Sequence, residues 1–125
     1  MTTEPDRPVR AAGALLAGLA VALGAFGAHA LKARLGAEAL GWWQTAVQYQ
    51  LAHGVALVAL GGLAWSRARL PALLLGAGAA LFAATLYAMA LGAPRWLGAV
   101  TPLGGAAMIA GWALLAWRAI RRELP

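Results

Sequence analysis

The chain has 125 residues, of which 62% are hydrophobic and 11% charged, with a formal net charge of +6. A soluble domain is nearer half apolar and a quarter charged, and a chain this short cannot hide so much apolar surface in one water-soluble core, so an ordinary soluble fold is excluded and the bilayer is the natural solvent. The lack of cysteine excludes disulfides and thiol chemistry, and the nine Arg and one Lys stand singly or in pairs between apolar runs, without the aromatic interleaving that a nucleic-acid surface needs.

Residues 1–8 (MTTEPDRP) form a polar tail. Val9 to Leu31 is the first apolar segment, with Arg10 at its start and His29 near its end. It exceeds the roughly 20 residues that a membrane span needs. Arg7, Arg10, an apolar run and then Ala28-His29-Ala30 also resemble a signal peptide with its cleavage site, but the run is longer than the usual ~7–15 residues of such a peptide. An uncleaved span is expected.

Lys32 to Glu38 is a short loop, and the second span is expected over 41–64, opening on Trp42-Trp43. Ser66-Arg67-Ala68-Arg69 is a tight basic loop. The third span, 70–91, has Pro71 in its first turn, where a missing N–H has no helical partner to lose. Gly92 to Arg95 is the next turn. The fourth span has two starts: Trp96, with a kink at Pro102, or Thr101 as a cap with Pro102 at the first helical position. The second leaves only about 24 Å of helix against a ~30 Å hydrocarbon core, so a helical or interfacial stretch from Trp96 onward is expected, spanning 96–117. Residues 119–125 form a basic tail with Arg121, Arg122 and Glu123.

Charge then orients the bundle. With four spans, both ends and the middle loop share one side, which carries Arg7, Arg10, Arg67, Arg69, Arg118, Arg121 and Arg122. The other side carries Lys32, Arg34 and Arg95. Basic residues in short loops stay in the cytoplasm, so both ends are expected there. Trp42, Trp43 and Trp96 at the outer ends and Trp65 and Trp117 at the inner ends suit the headgroup layer. Only Trp112 lies inside a span. The expected fold is all-α: a polytopic integral membrane protein of the inner (plasma) membrane, built as a four-transmembrane-helix bundle.

Helices in lipid associate through small residues and hydrogen bonds. Ala72, Gly76, Ala80, Ala84, Ala88 and Gly92 make a four-residue stripe on the third span; Ala20, Gly24 and Ala28 mark the first, and Gly104, Ala107 and Gly111 the fourth. These read as contact faces within the subunit, with a homo-oligomer interface as the alternative.

The second span carries Gln44, Thr45, Gln48, Tyr49, Gln50 and His53, and Thr45, Gln48, Tyr49, Ala52 and His53 share one helical face. His29, Thr85, Tyr87 and Thr101 lie toward the outer side, whereas the inner half is Ala, Leu, Gly and Val. A candidate polar pocket therefore comprises His29, Gln44, Thr45, Gln48, Tyr49, His53, Tyr87 and Thr101, opening outward with His53 at its floor. The competing reading is hydrogen bonding across the bundle, each bond contributing about 0.6–2 kcal/mol. Histidine suits proton transfer, but no carboxylate or cysteine accompanies it as metal binding would require. No span contains Asp, Glu or Ser, so paired-acid and serine-nucleophile chemistry lack their groups. Neither an enzyme nor a cofactor is expected.

Four blocks resemble a known family: Gly24-Ala-Phe-Gly-Ala-His-Ala-Leu31, Thr45-Ala-Val-Gln-Tyr-Gln-Leu-Ala-His53, Leu81-Phe82 with Leu86-Tyr87, and Thr101-Pro-Leu-Gly-Gly105 with Gly111-Trp112. Together they are similar to the small bacterial membrane proteins known as domain of unknown function 423, also called transmembrane-protein-256-like. Ala83-Ala84 stands where relatives commonly carry Ser or Gly. The resemblance implies a four-span inner-membrane protein and brings no biochemical activity. It implies that His29, Thr45, Gln48, Tyr49, His53, Tyr87, Thr101 and Pro102 belong to a shared pattern. The expected function is a non-enzymatic membrane component that packs with itself or a partner; the alternative is a small-solute permease or channel element around His53.

Overall fold

The computed structural model describes residues 4–121; Arg122 and Glu123 of the basic tail lie outside the described residues. The first helix, α1, covers Arg7–Phe26 and runs on into a π-helical turn, Gly27–Leu31. Helix α2 is Ala37–Gly62, α3 is Arg69–Ala90 and α4 is Thr101–Ile120. Short 3-10 turns at Ser66–Ala68 and Arg95–Ala99 lead into α3 and α4. Among the described residues, three stretches are long and apolar enough to cross a membrane: Arg7–Leu31, Ser66–Ala90 and Arg95–Ile120. Helix α2 is the longest single α-helix at 26 residues, but its Gln, His, Thr and Tyr residues hold its apolarity below the other three.

Local chemistry sets the ends. The Asp6 carboxylate accepts from the Val9 N–H at 3.2 Å and caps α1, with Pro8 in the first turn. The Asp6 backbone N–H donates to the Gly61 carbonyl at 2.8 Å, and its carboxylate pairs with Arg69. One residue thus joins the start of α1, the end of α2 and the start of α3. Arg118 ties α4 to the same end by donating to the Arg67 carbonyl at 2.7 Å. At the far end Arg95 pairs with Glu38 and lies over the Trp42 ring. Helix α3 ends where Gly92 takes φ +106°, a conformation that L side chains rarely adopt.

The fourth helix combines the two expected starts. Arg95–Ala99 is helical but 3-10, and the α-helix proper begins at Thr101 with Pro102 in its first turn, so Pro102 kinks nothing. Thr101 does not act as an accepting cap; its hydroxyl donates back to the Leu97 carbonyl at 3.1 Å.

Each helix packs antiparallel on its neighbour in the chain, α1 on α2, α2 on α3 and α3 on α4. Glycines set the closest approaches. A Cβ on Gly13 would stand 2.6 Å from the Gly54 carbonyl, and one on Gly54 would stand 2.6 Å from the Ala17 nitrogen. Likewise a Cβ on Gly104 would stand 2.6 Å from the Gly78 carbonyl. The stripe expected on α3 does not serve as one contact face: Ala72 is buried, but Ala80 and Ala84 are exposed, while Gly78, Ala79 and Ala83 are buried. With 3.6 residues per turn, each step of four rotates about 40° further around the axis. Five such steps carry the stripe from one side of the helix to the other.

Trp43 also differs from its expected headgroup position. It is 3% exposed, between Phe26 and Tyr87, with ring centroids 6.2 and 4.6 Å away.

Candidate functional site

The inward face of α2 presents Trp43, Ala46, Gln50, His53, Leu57 and Gly61, all buried and spaced by three or four residues. Three of these six bear polar groups, and between them they reach all three other helices.

Trp43 donates its indole N–H to the Leu23 carbonyl of α1 at 2.8 Å. Its ring lies directly over Gly27, where a Cβ would come within 2.6 Å. The π-helical turn starts at that glycine, so the widened turn and the missing side chain together make the seat of the indole.

Gln50, 3% exposed, joins three helices. Its Nε2 donates to the Leu16 carbonyl of α1 at 2.9 Å, and its Oε1 accepts from the Tyr87 hydroxyl of α3 at 2.7 Å. A carbonyl has a second lone pair beyond its helical bond, so Leu16 accepts without giving up α1.

His53, 6% exposed, links α2 to α4. Its Nε2 lies 3.0 Å from the Trp112 indole nitrogen and its Nδ1 2.7 Å from the Tyr49 carbonyl. An indole N–H only donates, so Nε2 must hold a lone pair. The proton of the neutral ring then sits on Nδ1, which donates to the Tyr49 carbonyl one turn back. The Tyr49 ring lies near-parallel to the imidazole at 6.2 Å and against Phe82 at 4.8 Å.

Between α3 and α4, the Thr85 and Thr101 hydroxyls lie 2.7 Å apart and also reach the Phe82 and Leu97 carbonyls at 3.0 and 3.1 Å. Two hydroxyl protons serve these three contacts, so one contact at a time goes without a proton.

The eight residues expected to line one pocket fall into separate places. His53, Tyr87 and Thr101 enter the bundle's hydrogen bonds, Tyr87 through Gln50 and Thr101 through Thr85. Tyr49 is 44% exposed and Thr45 half-buried. Gln44 and Gln48 are exposed on the far side of α2, and His29 is exposed on the π-helical turn. Two open volumes of about 460 Å³ each lie elsewhere: a cleft beside Asp6, Trp65 and Arg69, and an apolar groove between α1 and α3 floored by Leu57. Neither is lined by His53. Among the described residues no three His, Asp or Glu side chains gather as metal ligands would. Gln50, Thr85 and Trp112, each noted in the sequence, stand outside the candidate pocket, whereas the bundle's hydrogen bonds use all three. Gln50 was legible as a member of the stripe that continues through His53 and Leu57, and Trp112 as the one Trp inside a span.

The family model for a protein of unknown function (DUF423) matches residues 23–105. The chain belongs to this family. Its relatives include a UPF0382 membrane protein of Staphylococcus saprophyticus, 42% identical over 106 residues, which cover 82% of this chain and 88% of the relative. The UPF0382 inner membrane protein YgdD of Escherichia coli K12 is 42% identical over 105 residues, 81% of this chain and 80% of its own. No solved structure matches. This DUF423 chain is accordingly a membrane protein of a family whose activity is uncharacterised. The matched span contains the DUF423 chain's Trp43, Gln50, His53, Thr85, Tyr87 and Thr101, and stops short of Trp112. Leu16, which lies before it, contributes only a backbone carbonyl.

Proposed function

We propose that this protein is a non-enzymatic four-span component of the inner membrane, with both ends in the cytoplasm, that packs with itself or with a partner. The four-span count is supported by α2's position along its neighbours. It runs beside α1 from Asp6–Gly61 at one end to Leu23–Trp43 at the other. A helix held along the length of an apolar neighbour shares that neighbour's depth, and away from its two ends the backbone polar groups of α2 are satisfied within its own helix, as the hydrocarbon demands. The orientation is supported by seven basic residues on one side against three on the other.

The observation that carries the non-enzymatic reading is the use of the polar side chains inside the bundle. Both ring nitrogens of His53 and both ends of the Gln50 amide are bonded to other helices or to the helix's own backbone. Groups so engaged hold helices together and leave no free base facing an open volume.

Reconstitution of the wild type and His53→Ala in liposomes tests this. Lowered thermal stability or lost assembly, with solute permeability equal in both, is the expected result. A wild-type solute flux that vanishes in His53→Ala while assembly persists would replace this reading with a permease built around His53.

A further inference from the structure

Gln48 is the twelfth of the 26 residues of α2, within about one helical turn of its midpoint. It is exposed, and among the described residues its amide has no hydrogen-bond partner. The outward face around it continues through Gln44, Ala52, Val55, Ala59 and Gly62, all exposed. This face is opposite the stripe that holds Gln50 and His53. On the four-span reading, it turns an unpaired amide toward lipid tails at mid-depth. Acyl chains neither donate nor accept, and a polar group left unpaired in hydrocarbon costs several kcal/mol.

We infer that a second copy of this chain covers the outward face of α2, with the two Gln48 amides hydrogen-bonded to each other across a two-fold axis. Three observations select a second copy over an unrelated helix. First, an amide carries both a donor and an acceptor, so it complements itself. Second, all copies enter the membrane in the same orientation, so their α2 helices run parallel under a two-fold axis along the membrane normal. Each residue then meets its own counterpart at equal depth, as a two-fold interface requires. Third, Ala52, Ala59 and Gly62 lie on the same face as Gln48, and small residues let two backbones come close enough for side chains of glutamine length to meet. The interface also accounts for an amide at the middle of α2 on each face: the inward one, Gln50, is satisfied within the subunit, and the outward one, Gln48, between subunits.

The inference rests on the four-span reading, and the test separates the two. The chain has no cysteine, so single substitutions report alone. Ala52→Cys and Val55→Cys on α2, and Ile109→Cys on the exposed face of α4, are expressed in native membranes and oxidised. A cross-linked species of twice the subunit mass is expected from Ala52→Cys and Val55→Cys, and none from Ile109→Cys. Adding Gln48→Leu to Ala52→Cys is expected to cut the cross-linked yield about fivefold or more, while the subunit's own thermal stability holds. In parallel, Ala52→Cys is treated with a membrane-impermeant maleimide. Labelling from the aqueous phase would remove the four-span reading and the inference with it. Protection from label without cross-linked dimer, a dimer indifferent to Gln48→Leu, or a cross-link to a species of a different mass would each overturn the inference and leave the four-span reading standing.

Discussion

At His53 the partner decides the chemistry of the ring. Because Trp112 can only donate, the imidazole is read as neutral with its proton on Nδ1. Nitrogen-15 NMR of the protein in bicelles is expected to report that tautomer. Trp112→Phe keeps most of the ring packing and removes the donor, so it is expected to shift the Nε2 resonance and to lower unfolding stability by about 1 kcal/mol. An unchanged Nε2 resonance would mean that the two side chains do not meet. At this scale the sequence was legible in composition and less so in direction. The polar residues of α2 are conspicuous as a group, but only the helix period separates Gln50, which faces inward, from Gln48, two residues and about 200° away. A face chosen by counting polar residues, through Thr45, Gln48 and Tyr49, falls between the two.

Helices were the most legible features, because a run of more than twenty apolar residues in a chain this short has few alternatives. All four helices occupy apolar stretches, with α2 starting at Ala37, before the Trp pair, and α4 at Thr101, after a 3-10 turn. What a one-dimensional pattern hid was which small residues touch. Alanine and glycine surround α3, so a repeat of four selects no side; the contact is set where two backbones meet at Gly78 and Gly104. The matching pair on the first hairpin is Gly13 and Gly54. Gly54→Leu is expected to cost more than about 2 kcal/mol, since the obstructing atoms are backbone that cannot turn aside. Gly18→Ala, which would meet nothing within 4 Å, is expected to be neutral or slightly stabilising. Thermal unfolding of both variants in the same detergent checks the contrast. Equal losses would argue against the close α1–α2 approach.

For the molecule as a whole, the distribution of arginine predicts its orientation. A fluorescent protein fused after Pro125 is expected to fluoresce, and alkaline phosphatase at the same point to be inactive. An active phosphatase there would reverse the predicted side of the C-terminus. Membrane residence and family membership were readable from composition and four short blocks, and the family match supports both. Activity was not readable, and the reason is physical. The polar side chains inside the bundle are bonded to one another or to backbone, and the proposed use of the Gln48 amide requires a second molecule that one sequence cannot display.

The neighbour-by-neighbour packing has a consequence for biosynthesis. As the chain leaves the ribosome, every helix after the first meets its main packing partner already in place, and among the inward-facing side chains of α2 it is His53 that waits for α4 and Trp112. The Gln50 amide completes half of its bonding with α1 as soon as the first hairpin closes, and the other half when Tyr87 emerges. The Gln50 amide is thus sheltered by the two helices made on either side of its own, and its bonding is complete before α4 is made.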